Sequence, residues 1–577
     1  MKYPSKFFRK TVASVVFLLS MYRAVVGQDV EAIVKAPVVA ANGGVAFSQI
    51  INAAAHETVQ TPYSYYLTGN LNFHFFGAVN VPLSFAYSNR QFSSRASLPF
   101  NRFSIAPSYK WVKVYAGYAS LQFSPYTLAG HELFGGGVEL TPDNRFKFTA
   151  IYGRLKKATE EQDGVEPSYK RMGGGGKVEY AGERFEASIN IFKAKDDPSS
   201  VAFRQPDSIG VLPQDNLSGG VSLNVKLTEK VRMGAEYGMS AMNRNIRHKD
   251  NRRRSVLFDA QGDVALYHAM RYNLAYASPV GNIGATYERV APNYATSGAY
   301  YMLNDFENIT ANFSTAVKNI NISVDGGYQH DNLQGQKNNT TSRMIFSGNL
   351  SAVLGQKWNI GANVSNVQSY VHIRDIYDQV TQTNEFQNLD TLEYTQVNLT
   401  SSVNVAYVLQ STERQRQSLS AGFMYQRAAE RQEYSAYSGN NIYNGTLVYQ
   451  YAHLPSKWNA SASINYNYNR MPDAFTGTVG YNLSVQKTFW EAFRCAFNAT
   501  YSNMTGNEGN TANIFNLRIT GGYTLLKKHN FNLSLATVAN SDNVRKAVQY
   551  SANLAYGYSF GITVARKDRK LTATGNF

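Results

Sequence analysis

The 577-residue chain has one cysteine, Cys495, so it closes no internal disulfide. It also lacks any stretch of the ~20 consecutive apolar residues that a membrane-spanning helix requires. The longest run, Thr11–Tyr22, is much shorter. Its nine histidines, His74, His131, His248 and His453 among them, are scattered. None falls with Ser and Asp, or with Glu, at a spacing that suits nucleophilic or general-base catalysis. No His/Cys grouping has metal-ligand spacing. The glycine run Met172–Lys177 departs from the phosphate-loop spacing and has Val178 where Ser or Thr would bind magnesium. The sequence therefore assigns no catalytic residue, no metal and no cofactor, and predicts a non-enzyme. Acids are scarce too: 40 Asp and Glu against 56 Lys and Arg give a formal charge of +16.

What the chain has in abundance is aromatics and alternation. It contains 40 Tyr and 32 Phe. Residues 456–469 set the pattern: Trp458, Ala460, Ala462, Ile464, Tyr466 and Tyr468 share one parity, and Asn459, Ser461, Ser463, Asn465, Asn467 and Asn469 the other. A period of two is a β-strand, with side chains pointing alternately to opposite faces. The pattern returns with Leu67, Leu71, Phe73 and Phe75 against Thr68, Asn70 and Asn72, and with Phe515, Leu517 and Ile519 against Asn516, Arg518 and Thr520. It recurs near the end with Leu554, Tyr556, Tyr558, Phe560, Ile562 and Val564. A soluble sandwich buries its apolar face, whereas a membrane barrel turns that face to lipid and its amides and hydroxyls to a wet lumen.

The connections favour the barrel. Short turns such as Gly77-Ala78, Lys318-Asn319 and Leu454-Pro455-Ser456 alternate with long polar loops such as 195–214, 241–262, 291–306 and 371–392. Outer-membrane barrels sort their connections in this way, with short periplasmic turns and long extracellular loops. The hairpins around these turns give about 24 strands, and an up-strand before Tyr63 (43–54) with a closing strand near 547–564 brings the expectation to about 26, with 24 as the alternative count, in one all-β antiparallel transmembrane barrel. Trp111, Trp358, Trp458 and Trp490 all lie within or beside short turns, where an interfacial aromatic belt is expected. A barrel this wide has a lumen too large for its own side chains to fill.

The remaining segments can be assigned by position. Residues 1–27 have the basic start, short apolar stretch and small residues of a signal peptide. Their five cations, Lys2, Lys6, Arg9, Lys10 and Arg23, leave +11 on the rest. Residues 28–42 are expected to form a periplasmic segment, 43–566 the barrel and 567–577 a periplasmic tail. Arg244, Arg247, Lys249, Arg252, Arg253 and Arg254 form the densest basic cluster, in a long loop that is either solvated or in contact with anionic surface glycan or an acidic partner. The stretch 109–131, dense in aromatics, Pro and Gly, reads either as a loop folded into the lumen or as an ordinary packed loop. No nucleic-acid-binding motif is present.

The signal peptide, the Tyr/Asn-rich alternation and the run Ser124-Pro125-Tyr126-Thr127-Leu128-Ala129-Gly130-His131 resemble large outer-membrane barrels of the Bacteroidota type. The resemblance implies the outer membrane of a Gram-negative bacterium, contact with lipid and lipopolysaccharide, and work alongside outer-membrane or periplasmic proteins or lipoproteins. Two roles follow: a conduit for a macromolecule or bulky solute within a surface machine, or a non-conducting scaffold that docks partners.

Overall fold

A computed structural model describes residues 37–55, 62–89, 101–160, 167–201, 211–247, 258, 264–336, 342–366, 369–372, 394–430, 438–507, 511–542 and 546–564. Twenty-eight strand segments form one sheet closed on itself, its strand pairings all antiparallel and, apart from the seam and two interrupted staves, between neighbours in sequence. Two staves are interrupted. β4 (Arg102–Ile105) and β5 (Ser108–Tyr109) both pair with β3 (Val79–Ser88) and β6 (Val112–Gln122). β18 (Trp358–Ser365) and β19 (Ser369–His372) both pair with β20 (Tyr394–Ser411). Merging each pair gives a closed barrel of 26 strands, as the hairpin count predicted. No α-helix occurs among the described residues. A strand spacing of ~4.8 Å and a tilt of ~40° give such a barrel a backbone diameter of about 50 Å.

The seam is made by β1 (Val39–Ala55) and β28 (Lys546–Val564), in register from Val39↔Val564 to Ala55↔Val548. The first strand thus starts before Gly43. Val39 and Ala41 continue the outward alternation and find partners in Val564 and Ile562. Along the chain between them run β2 (Tyr63–Phe75), β7 (Ala129–Leu140), β8 (Phe146–Lys156), β9 (Lys170–Ala181), β10 (Phe185–Asp197) and β11 (Asp215–Lys226). Then come β12 (Val231–Asn243), β13 (Val264–Ala277), β14 (Asn282–Val290), β15 (Phe306–Val317), β16 (Ile320–Asp331) and β17 (Ser342–Leu354). Beyond β20 lie β21 (Gln415–Glu430), β22 (Ser438–His453), β23 (Trp458–Arg470), β24 (Phe475–Phe489), β25 (Phe493–Gly506), β26 (Thr511–Leu525) and β27 (His529–Asp542).

Alternation decides the faces. Ile464, Tyr466, Tyr481, Leu483, Phe515, Ile519, Leu533 and Leu535 are all exposed on the outer surface, as are Ile189, Ile191, Met233, Leu274 and Ile309 on the other side of the barrel. Soluble monomers rarely expose apolar patches beyond a few hundred Å². Here the apolar parity of nearly every strand is bare. The opposite parity of the same strands carries Asn, Ser, Thr, Gln and Gly toward the interior. The connections fall into two rims, one made of twelve turns of two to five residues and one on which most are longer, the exceptions being 471–474, 507–510 and 543–545.

Candidate functional site

The inner wall is not uniform. Over β6–β14 it is covered by two connections from the long-loop rim that fold inward. One is 123–128, between β6 and β7; the other is 291–305, between β14 and β15. Phe123, Tyr126, Thr127, Leu128 and Tyr294 are among the most buried residues of the protein, and Thr127 and Leu128 have no exposed surface at all. The stretch 109–131 thus divides: Val112–Gln122 is wall, and the part after it enters the lumen.

Three features of the inner face hold the first loop. Glu236, Arg271 and Glu288 lie directly opposite one another across β12, β13 and β14. Arg271 Nη2 meets Glu288 Oε2 at 3.0 Å. Ser124 Oγ donates to Glu236 Oε1 at 2.7 Å, and the Tyr126 hydroxyl donates to Glu288 Oε1 at 2.7 Å. On β10, Asn190 Oδ1 accepts from Thr127 Oγ1 at 2.6 Å. Hydrogen bonds to ionised groups are roughly twice as strong as neutral ones, so the two carboxylates are the firmest anchors. Beneath the loop, Ala119, Phe123, Leu128, Leu133, Ile151, Leu155 and Phe192 form an apolar cluster inside the barrel.

The second loop locks onto the first. Leu128 and Gly298 form a short parallel bridge, and Gly298 O accepts from Ala129 N at 2.9 Å. The Tyr294 hydroxyl donates to Tyr126 O, and Thr296 Oγ1 donates to Thr127 O, both at 2.7 Å. Asn216 Oδ1 accepts from Ser297 N at 2.9 Å, and Ser240 Oγ donates to Ala295 O at 2.6 Å. Two glycines permit the approach. A Cβ on Gly238 would stand 2.5 Å from Tyr126 Cβ, and one on Gly298 would run into the Thr127 carbonyl oxygen. Burial, reinforced by the charge of Glu288, holds the Tyr126 phenol well above its usual range; burial does the same for Tyr294. Both remain donors at physiological pH.

The wall from the short-turn end of β14 round to β28 is different. Inner positions run in register as Asn282, Ser314, Ser323, Asn349, Asn363 and Ser402, one from each of six successive staves. The adjacent row reads Asn321, Ser351, Gly361 and Asn404. Ionisable side chains on this face are sparse, Asp325, Arg494 and Arg518 among them. No connection among the described residues packs against it as the two inward loops pack against the opposite wall.

The residues singled out by sequence fall as follows. Trp111, Trp358, Trp458 and Trp490 all lie at the short-turn rim, Trp490 with 85% of its surface exposed. Arg244 and Arg247 are tied to the wall: Arg244 Nη2 donates to the Tyr267 hydroxyl at 2.8 Å, and Arg247 donates to the Tyr169 hydroxyl. Lys249, Arg252, Arg253 and Arg254 lie outside the described residues, as do 1–36 and 565–577. The glycine run is part of β9, where Leu155 and Phe192 lie over Gly173. Sequence reading missed Glu236, Glu288, Tyr294 and Thr296. The available signals were two carboxylates on parities otherwise rich in glycine and small residues, and tyrosines inside a polar loop.

No protein-family profile and no curated protein matches the sequence. Among solved structures the chain is similar to the ferric citrate transporter FecA in its unliganded form (9% identity, 91% of this chain and 79% of that one, TM-score 0.38). It is similar to the P pilus usher PapC translocation pore (11% identity, 90% and 99%, TM-score 0.35) and to the FrpB iron transporter from Neisseria meningitidis (9% identity, 90% and 82%, TM-score 0.37). The likeness is distant, and the functional reading rests on the barrel's own two faces.

Proposed function

We propose that this chain is an integral outer-membrane barrel of a Gram-negative bacterium and a conduit for a macromolecule or bulky solute. One observation carries the reading: a closed wall that is apolar outside and polar inside, with inward loops packed, among the described residues, against one half. The outer surface calls for hydrocarbon, and closure leaves the sheet no free edge in it. A lumen about 50 Å across at the backbone keeps an aqueous path beside the loops. In this reading residues 1–27 are the signal peptide, the short-turn rim and the tail 567–577 face the periplasm, and the long loops face outward. The four tryptophans form the periplasmic belt, and the basic loop around Arg252 meets anionic glycolipid or an acidic partner. The resemblance to barrels of the Bacteroidota type supports a place within a multi-protein surface machine.

Detergent-purified protein reconstituted into planar bilayers is expected to give large, discrete conductance steps. Silence from correctly inserted protein would instead favour the scaffold, a reading that the firmly anchored loop pair also supports. Insertion is checked separately by tryptophan quenching with lipids brominated near the headgroup. All four tryptophans are expected to respond, and quenching by deep acyl-chain bromines alone would refute the belt.

A further inference from the structure

We propose that the wall of β14–β22, against which no connection packs among the described residues, is a binding track for an uncharged, hydroxyl-rich chain, an oligosaccharide, seated deepest over β16–β20. The proposal gives a substrate class to the conduit reading and rests on it for its biological sense, though not for its test.

The chemistry of the two registered rows is the basis. The longer row offers Asn282, Ser314, Ser323, Asn349, Asn363 and Ser402 at the ~4.8 Å spacing of adjacent strands. An asparagine has two donors and an acceptor, and a serine one donor and an acceptor; Asn363 Nδ2 already donates to Asn349 Oδ1 at 2.5 Å, which leaves that pair three donor hydrogens and the Asn363 Oδ1 for a ligand. A sugar hydroxyl is likewise donor and acceptor at once, so every position matches it without a counter-charge. An ionic solute leaving bulk water for this surface finds no opposite charge among these residues. An apolar one would leave the amides without partners, at a cost of about 1–3 kcal/mol per group. A polypeptide would bring charged and apolar side chains for which the rows have no complement.

The shape agrees with the chemistry. The rows line a recess of about 570 Å³, which shares Ser351, Gly361 and Asn404 with a second of about 330 Å³ reaching toward Thr446 on β22. Both lie within the range of small-ligand sites, ~300–1,000 Å³. Gly361 forms an open part of the floor, with no atom within 4 Å of where its Cβ would stand. By contrast, Asn465 lies over Gly480 further round the wall and closes the equivalent space.

The test is saturation-transfer NMR on the full protein in a zwitterionic detergent. The probes are maltohexaose, an oligogalacturonate of the same length, and a disordered polypeptide carrying Lys, Glu and Leu. Maltohexaose is expected to receive saturation, and the charged oligomer and the peptide little. Gly361→Leu, which fills the recess at a position with room for a side chain, is expected to weaken maltohexaose binding about tenfold, the equivalent of one or two hydrogen bonds. Asn349→Asp is expected to depress oligogalacturonate binding further while the barrel keeps its heat-modifiable gel mobility. Equal transfer to the anionic oligomer, preference for the peptide, or an unchanged affinity in folded Gly361→Leu would overturn the proposal. Binding without bilayer conductance leaves the track standing and removes the conduit. Conductance without maltohexaose binding does the reverse.

Discussion

Strands β6–β14 and strands β15–β28 are built on the same two-residue period, and their outer faces cannot be told apart by chemistry. Their inner faces differ in kind. The first sector carries Glu236, Arg271, Glu288, Asn190 and Asn216, each engaged by a loop or by its cross-strand neighbour, around an apolar cluster of Leu133, Ile151, Leu155 and Phe192. The second carries rows of amides and hydroxyls that meet no such loop among the described residues. Charge and bulk on an inner face therefore mark where protein covers the wall, and small neutral polar groups mark where it stays bare. A covered carboxylate is costly unless it is hydrogen-bonded, and the loop that covers Glu236 and Glu288 supplies those bonds through Ser124 and Tyr126.

That contrast can be broken most forcefully at Gly298. Gly298→Val drives a side chain into the Thr127 carbonyl and the Phe192 ring. It is expected to cost about 3 kcal/mol by overpacking and to release both loops, read as a severalfold rise in unitary conductance. An unchanged step size would mean that the loops do not narrow the path. Tyr126→Phe comes next: losing one donor to Glu288 is expected to cost about 1.5–3 kcal/mol and to make the open-channel current noisier. Chemical denaturation and noise analysis check the two parts. In the other sector, Asn363→Ser is expected to change stability by no more than about 0.5 kcal/mol and to leave the step size alone. A large effect there would erase the distinction between the walls.

The smallest expected effect is on pH dependence. The phenols of Tyr126 and Tyr294 have their folded-state values raised, chiefly by burial, so they stabilise the loops at every pH below the ordinary phenol value of 10. That contribution fades only as pH climbs toward the raised values. Between pH 6 and 9 the conductance should therefore show no phenol-dependent change, and a titration in that window that disappears in Tyr126→Phe would contradict the burial of this ring.

The barrel itself was legible because alternation is local: each strand declares its two faces without reference to any other. Turn spacing gave the 26-strand count, and the positions of Trp358 and Trp458 at the start of their strands follow from the same spacing. The loop pair was only half legible. Stretch 109–131 was marked by its aromatic, Pro and Gly content, but nothing local pairs Leu128 with Gly298 or Tyr126 with Glu288. Those contacts join residues more than 160 positions apart, and they depend on how far around the wall each strand sits. The interruption at Ala106-Pro107 splits a stave between β4 and β5 because proline has no N–H to give the ladder. That effect was local, yet short enough to be absorbed into a single predicted strand.

The seam between β1 and β28 joins the beginning of the described chain to its end. Every other pairing links strands adjacent in sequence and can form as the polypeptide emerges, but this one has to wait for the final strand. Until then the nascent sheet has two raw margins, and in hydrocarbon neither finds water to satisfy it. Maturation therefore has one late, all-or-none event whose loop entropy is the largest in the molecule. A truncation that removes only β28 is expected to leave hairpins that form but never become a cylinder.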